Sequence, residues 1–423
     1  MALLLIPALA GQGSVAAWAA DISTLSLPPL LEELRRASPE LLAARKRWEA
    51  ARVGARQATG LPAPRIGVEF EELPKGTFKV NQATIMYQLI QSLPFPGKLS
   101  AKKAVAAKEA QLAAVELKRM EWDLASQLKT AYYELYMVDR ELEIQQELIA
   151  WLRQAVAGAQ AGYATATTSQ ASVLQAQSEL LEASSALTTL EHRREAMAAH
   201  LNHLLNRTTH APVGRPGPLE LVPLTYTIEE LVLVAEQQQP ELLAAQYSVE
   251  RADATVRLSK RELLPDLETM AELRDPAMGP IGPWDLTLAL TLPFWFWTKA
   301  RYGVQVAVYD AESARAAQQA VRNAVLKGIH EHWHEAQGAY TTAALTRDGL
   351  LPLEQQAVAS ALTAYQTRRS GFAELTEVLG RWSRRKMEYY RQLVMLEQHV
   401  IMLEEAVGIP LRAAHGATEG DVS

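Results

Sequence analysis

The segment Ser92–Lys103, SLPFPGKLSAKK, separates two different sequence patterns. Apolar and polar residues alternate before it, as in a β-strand, and the next proline after Pro96 is Pro212. Proline cannot donate to a sheet ladder but is tolerated at a helix start, so the segment predicts a strand that joins a long helix, from about Lys98 to Gln160. Thr291–Arg301, TLPFWFWTKAR, predicts a second junction of this kind. The candidate junction residues are Pro94, Pro96, Gly97, Pro293, Trp295 and Trp297.

The two junctions belong to a tandem duplication. PELLAA occurs at 39–44 and again at 240–245, and the tyrosine-led segments at Tyr163 and Tyr365 resemble each other. These matches and the junctions keep the same order, about 200 residues apart, which chance hardly explains. We predict a first repeat at 21–209, a Pro/Gly-rich linker at 210–225, a second repeat at 226–408 and a flexible tail at 409–423.

Each repeat is predicted to contain the same series of elements. A first helix (30–58; 228–262) precedes two short strands (64–72 and 83–93; 265–274 and 284–293), a very long helix, a tip and a return helix. The long helices, 98–160 and 298–365, are rods of roughly 100 Å, and such rods need neighbouring helices along their whole length. Two shorter helices stacked end to end supply that length. Abundant alanine favours close helix approach and a thin-walled helical cylinder, so the fold class is mainly α.

The predicted strands alternate between apolar and polar residues, cleanly in Arg65–Glu71 and Trp284–Leu292 and less strictly in the other two. In Trp284–Leu292, WDLTLALTL, alternate leucines share one face and polar or small residues share the other. Outer-membrane barrels require strands of this kind, whereas a half-buried soluble sheet shows the same period and remains the alternative. Four strands cannot close a barrel, and lipid tolerates no open sheet edge. We therefore predict that three chains share a twelve-stranded barrel.

Composition and the N-terminus narrow the functional classes. The chain has 423 residues, a formal net charge of -6 and no cysteine, which excludes disulfides and thiolate sites. The sequence has no stripe of basic residues, so it does not indicate nucleic-acid binding. The apolar run at 2–10 and the A-x-A pattern ending at Ala19 predict a signal peptide at 1–20. Neither a G-x-S-x-G nor a dinucleotide motif is present, so we predict a protein that is not an enzyme and has no cofactor.

These features together resemble the TolC family of trimeric outer-membrane channels, and within it the heavy-metal branch typified by CzcC and CusC. The motifs that carry the resemblance are the two PELLAA segments, LPFPGK at Leu93–Lys98 and the breaks at Tyr163 and Tyr365. The resemblance implies a Gram-negative outer-membrane protein whose β-barrel continues into a periplasmic α-barrel, with a girdle at mid-height. It also implies a passive exit duct that works with a periplasmic adaptor and an inner-membrane transporter.

Two other functions remain open on sequence alone. A channel of the same family could export drugs or proteins instead of metals. An exported structural coiled-coil protein without a pore is the alternative from another class, and the alternating strands argue against it.

Two groups of residues are candidates for the conduction path. Carboxylates on the polar strand faces would line the barrel and favour cations, although any solvated face carries such groups. These lumen candidates are Glu69, Glu71, Glu268, Glu272 and Asp285. The breaks between long and return helices would form periplasmic tips, and simple solvated turns are the alternative. The tip candidates are Gly162, Tyr163, Thr167, Thr168, Ser169, Tyr365, Arg368, Arg369, Ser370 and Gly371, with Ser169 and Ser370 as predicted N-caps.

The stretch His330–His334, HEHWH, has histidines at a spacing found in metal sites. On a helix His330 and His334 share one face, but His332 points elsewhere and no third ligand can be assigned. The stretch is interpreted as ordinary helix surface or tunnel wall, and no metal ligand is predicted.

Overall fold

The computed structural model describes residues 24–71, 84–274, 284–291 and 301–412. The predicted signal peptide, Pro293, Trp295 and Trp297 lie outside these ranges. The first half contains α1 (Leu27–Ala37), α2 (Pro39–Gln57), β1 (Arg65–Glu71), β2 (Thr84–Leu93), α3 (Lys98–Ala164) and α4 (Gln170–Leu204). The second half contains α5 (Ile228–Gln238), α6 (Pro240–Glu262), β3 (Asp266–Arg274), β4 (Trp284–Thr291), α7 (Arg301–Leu345), α8 (Leu351–Gln366) and α9 (Phe372–Val407).

The prediction of one continuous first helix in each repeat is wrong. Both helices break before the proline of the PELLAA motif, where Ser38 and Gln239 have extended backbones with ψ of 119° and 122°. A residue that precedes proline is disfavoured in the α conformation, so the break is local in origin. The side chains of Ser38 and Gln239 then cap α2 and α6 by accepting from the N–H groups of Leu41 and Leu242.

The two long helices are built differently. Helix α3 has 67 residues and packs against α2 and α4, as the length argument predicts. Its counterpart is also helical without a gap from Arg301 to Gln366, but a π-helical turn at Thr346–Leu350 lies between α7 and α8. Pro352 follows at once and cannot donate a helical hydrogen bond, which explains the irregularity. The predicted second rod is therefore present over its described length, with one π-helical irregularity that the sequence prediction did not include, and α7 and α8 pack along α9.

The largest buried cluster surrounds the middle of α3. Leu128, Leu135 and Tyr136 pack there with residues of α1, α4 and α9. Leu219 and Leu221 of the linker cover this cluster, and Leu25 forms a β-bridge with Pro216. The predicted linker thus lies against the midpoint of the long helix.

Residues 409–412, predicted as the start of a flexible tail, are packed. Buried Glu404 accepts hydrogen bonds from the backbone N–H groups of Leu411 and Arg412, and it pairs with Lys129. Arg412 in turn pairs with buried Glu397. Buried carboxylates need donors and countercharges, and this segment supplies them.

The four described strands form one antiparallel sheet in the order β1-β2-β3-β4. Strands β2 and β3 pair across the two repeats, so each repeat contributes one hairpin to a common sheet. The helices extend from one end of this sheet, because β2 leads directly into α3 and α6 leads into β3.

Candidate functional site

One face of the sheet is apolar and open. The register sets Ile66 opposite Leu89, and Leu286 opposite Ala271, so the apolar positions of the four strands coincide. The exposed large apolar side chains on this face are Ile66, Val68, Phe70, Tyr87, Leu89, Leu273, Trp284, Leu286, Leu288 and Leu290. Soluble monomers rarely expose so large a contiguous apolar patch. The face therefore requires a covering of lipid or protein.

The opposite face collects the five predicted carboxylates. Strand register places Glu272 between Gln88 and Asp285, and sets Glu268 opposite Ser92. Glu69 and Glu71 project to the same side, because their partners Met86 and Thr84 alternate in step with Gln88. Arg65 and Arg274 also lie on this face, and Arg274 was not singled out from the sequence. Extending the alternation of β3 by one residue would have found it.

Hydrogen bonds and ion pairs connect the polar face across the strands. The Gln88 side-chain amide donates to Glu272 Oε1 at 2.8 Å and also to Glu69. Arg65 approaches Glu268 at 3.5 Å, and Arg274 approaches Asp285 at 3.6 Å. These groups are largely exposed, so the pairs contribute little to stability. They form a charged surface. Among the described strand residues this face carries two arginines and six carboxylates, of which Asp266 is paired with Lys98.

The junction between β2 and α3 is bound to the second repeat by hydrogen bonds and an ion pair. Strand β2 ends at Leu93 and α3 begins at Lys98, so Pro94, Pro96 and Gly97 form the connection. Buried Lys98 donates to the Leu264 carbonyl at 2.7 Å and pairs with Asp266 at 2.8 Å. The Phe95 N–H donates to the same Asp266 carboxylate. The junction is therefore held to the point where α6 enters β3.

Gly97 is favoured at this junction by its backbone conformation. Its φ of 93° lies in the left-handed region, which strains any residue with a Cβ. The Arg261 guanidinium lies beside Gly97 and is directed at the neighbouring Pro96 carbonyl, so a larger residue would also displace the end of that flexible side chain.

The two helical tips have the same backbone structure. Ala166 and Arg368 adopt left-handed φ values of 54° and 59°, and their N–H groups donate to the carbonyls of Tyr163 and Tyr365. The next N–H in each tip donates to the carbonyl one residue further back, which completes a Schellman motif. Glycine is preferred at such positions, since a left-handed residue with a Cβ costs about 1–2 kcal/mol. Both tips of this chain bear that strain.

Of the two predicted N-cap residues, Ser169 caps its helix and Ser370 does not. Ser169 caps α4, because its hydroxyl accepts from the Ser172 N–H at 3.2 Å. Ser370 does not cap α9; Gly371 occupies the N-cap position and the Ser370 hydroxyl is buried without a described hydrogen-bond partner. Helix α9 starts at Phe372, whose ring is buried in a core cluster, and that packing sets the boundary one residue later than predicted.

The tips also contact each other. The Arg368 guanidinium donates to the Thr165 hydroxyl at 3.3 Å, and the Tyr365 hydroxyl donates to the Ala155 carbonyl at 3.2 Å. A Cβ on Gly162 would lie 2.2 Å from the Thr168 hydroxyl oxygen, so glycine permits the tight return of the chain. The candidates from both halves therefore meet at one end of the helical body.

Sequence comparison decides the family. The model of the outer membrane efflux protein family matches residues 30–207 and 231–389, which is most of the chain. This chain belongs to the outer membrane efflux protein family. It is therefore an outer-membrane channel protein of the TolC type and not an enzyme, and both predictions are confirmed. No curated protein sequence matches significantly.

Solved structures of efflux channels have the same fold. VceC from Vibrio cholerae is 17% identical with a TM-score of 0.77, and the match covers 91% of this chain and 97% of that chain. A membrane protein from Pseudomonas aeruginosa is 15% identical with a TM-score of 0.78, covering 97% of both chains. CusC is 13% identical with a TM-score of 0.78, covering 94% and 96%. The predicted fold class, long helices with four strands for a shared barrel, is confirmed.

Within this efflux-family fold, no helix in the described part of the chain is both long and apolar enough to cross a bilayer.

The histidine-rich stretch lies on α7. His330 and His334 are exposed, whereas His332 turns toward α9 and stacks on His399. Burial lowers the pKa of His399. The sequence could not reveal this contact, because 66 residues separate the two histidines and no motif connects them.

Proposed function

We propose that this chain is the exit duct of a tripartite efflux system, of the type that exports heavy-metal cations. It acts passively as a homotrimer, extends from the outer membrane into the periplasm, and receives its cargo through an adaptor and an inner-membrane transporter. The observation that carries the proposal is the two-faced sheet. Its apolar face suits lipid and its opposite face carries the carboxylates.

The sheet edges support a shared barrel. In the linear order of the strands, β1 and β4 are the edges, and neither has a second neighbour among the described residues. An open edge is not tolerated in lipid, where every backbone group must be satisfied. Pairing β1 of one chain with β4 of the next closes the sheet, and three copies give twelve strands. In this arrangement the carboxylate face lines the lumen.

The charge of that face supports a cation pathway. Besides the Asp266–Lys98 pair, the described strands of each chain present five carboxylates and two arginines on this face, and three chains would place a net negative ring around the lumen. Rings of acidic side chains raise the local concentration of cations. CusC and VceC match the fold equally well, so the choice of cations over other cargo rests on this ring and on the sequence resemblance.

Ion selectivity tests the lumen assignment. We expect the trimer to prefer cations in planar bilayers under a KCl gradient. Besides the Asp266–Lys98 pair, the triple variant Glu69→Gln/Glu272→Gln/Asp285→Asn leaves two carboxylates against two arginines per chain. Its reversal potential is expected to fall close to zero, because the ring is then nearly neutral.

Arg65→Gln is the control variant, for which the expected change in reversal potential has the opposite sign. It removes a positive charge from the same face and is expected to move the reversal potential further toward the cation value. A triple variant that keeps the wild-type reversal potential, or an Arg65 variant that moves it the same way as the triple variant, would show that the carboxylate face does not line the pore.

The tips support a second element of the proposal, a periplasmic constriction. Arg368 and Arg369 lie beside each other at the end of α8, and Arg368 bonds to the tip of the first repeat. In a trimer six guanidinium groups surround the mouth and repel each other unless acceptors hold them. The Thr165 hydroxyl is one such acceptor, and we infer that it holds the tips of one chain together in the closed state.

A further inference from the structure

A cluster of metal-binding side chains lies between α7 and α9, far along the chain from the sheet carboxylates. His332 and Glu335 are three residues apart on α7 and therefore project from the same side of the helix. His399 faces them from α9. One ligand atom from each residue can be chosen so that all three lie within 4.8 Å of one another.

The contacts inside the cluster are not those of an ordinary ion pair. Nδ1 of His399 lies 3.1 Å from Oε2 of Glu335, and Nδ1 of His332 lies 3.6 Å from the same oxygen. Neither contact has hydrogen-bond geometry, and both Nδ1 atoms are buried without a described hydrogen-bond partner. Buried polar atoms of this kind normally have a partner. Two buried imidazole nitrogens without a described hydrogen-bond partner, both next to one carboxylate, are suited to binding a shared cation.

The surroundings hold the three side chains in place. Ala336 and Ala339 on α7 pack with Leu396 and Val400 on α9, and all four are buried. The small alanine side chains allow a close approach of the two helices next to the cluster. Because the ligands sit on rigid packed helices, little ordering is needed when an ion binds. Glu335 is half exposed, which gives an ion a path from solvent.

We propose that His332, Glu335 and His399 form a binding site for a divalent late transition-metal ion of the Zn²⁺ class. Two imidazoles and a carboxylate suit such ions, whereas Mg²⁺ and Ca²⁺ prefer oxygen ligands alone. Zinc bonds to nitrogen and oxygen are about 2.0–2.2 Å long, so one ion between the three residues reaches all of them after small side-chain rotations. A water molecule completes the coordination.

The bound ion would be resident in the wall and separate from the cargo of the channel. It connects α7 to α9, which otherwise meet here through apolar contacts. Since the ion binds the folded chain at ligands from two helices, it stabilises that packing. The site does not depend on which solute the channel exports.

Binding of Zn²⁺ to the detergent-solubilised trimer tests the site. After removal of metal with EDTA, we expect one Zn²⁺ per chain by titration against a chromophoric chelator, and a higher melting temperature with Zn²⁺. We expect His332→Ala and His399→Ala each to weaken binding by at least about 100-fold, the upper end of the loss caused by removing an outer-shell partner. Co²⁺ should give visible absorption bands in the wild type and not in the His332 and His399 variants.

The double variant His330→Ala/His334→Ala is the matched control. It removes two exposed histidines from the same helix surface and is expected to bind Zn²⁺ like the wild type. Binding that survives the His332 and His399 substitutions, or that the control variant loses equally, would overturn the proposal. Anomalous diffraction from wild-type crystals soaked in Zn²⁺ decides the matter if a variant does not assemble; the absence of a peak between the three residues also overturns it.

Discussion

Replacing Leu288 with arginine is expected to prevent assembly of the trimer. Leu288 lies near the centre of β4, is 65% exposed in the single chain and stands opposite Thr269 on the apolar face. If that face meets lipid, an arginine near the midplane costs about 2–4 kcal/mol in each chain, and each trimer carries three copies. The yield of heat-modifiable trimer in outer-membrane extracts measures the effect.

The neighbouring substitution Thr287→Arg is the matched control. Thr287 stands opposite Met270 on the carboxylate face, two residues from Asp285. The same arginine is there surrounded by acidic groups and water, so trimer yield is expected to stay near the wild-type value. Equal losses in the two variants, or a greater loss at Thr287, would contradict the assignment of the faces.

The double substitution Arg368→Ser/Arg369→Ser is expected to raise the single-channel conductance. The Arg368–Thr165 hydrogen bond is exposed and contributes about 1 kcal/mol. Its loss in three chains shifts the closed–open equilibrium by about 3 kcal/mol, or roughly 100-fold. Removal of Arg368 takes away a donor that holds the tips together, and the pore should open more often or more widely. Assembly should be unaffected, because the tips lie at the other end of α3 from the sheet.

Arg381→Ser/Arg384→Ser removes the same charge from exposed positions further along α9. This control is expected to keep the wild-type conductance. If the tip variant assembles correctly but conducts like the wild type, or if the control shows the same rise, the constriction is not held by these arginines.

Much of the fold was predictable because its causes are local. Alternation along the strands predicts which residues share a face, and the register places all five candidate carboxylates together. The Pro/Gly junction predicts the boundary between β2 and α3, since proline and glycine act on their own backbone. The helix breaks at Ser38 and Gln239 are equally local, and they were missed although the proline that causes them belongs to the quoted motif.

The remaining features depend on contacts between distant segments. The pairing of Lys98 with Asp266, the Thr165 acceptor for Arg368 and the position of His399 beside His332 each join residues from different parts of the chain. No periodicity or spacing encodes such a contact. The start of α9 at Phe372 was missed for a related reason, because burial of the phenylalanine outweighs the capping preference of Ser370.

Planar-bilayer recording from the purified wild-type protein tests the central claim, that three chains form one passive membrane channel. The account predicts that the protein needs detergent, sediments as a trimer in analytical ultracentrifugation, and then inserts to give discrete, cation-selective conductance steps without an energy source. A protein that remains monomeric in detergent-free buffer and produces no conductance would contradict it.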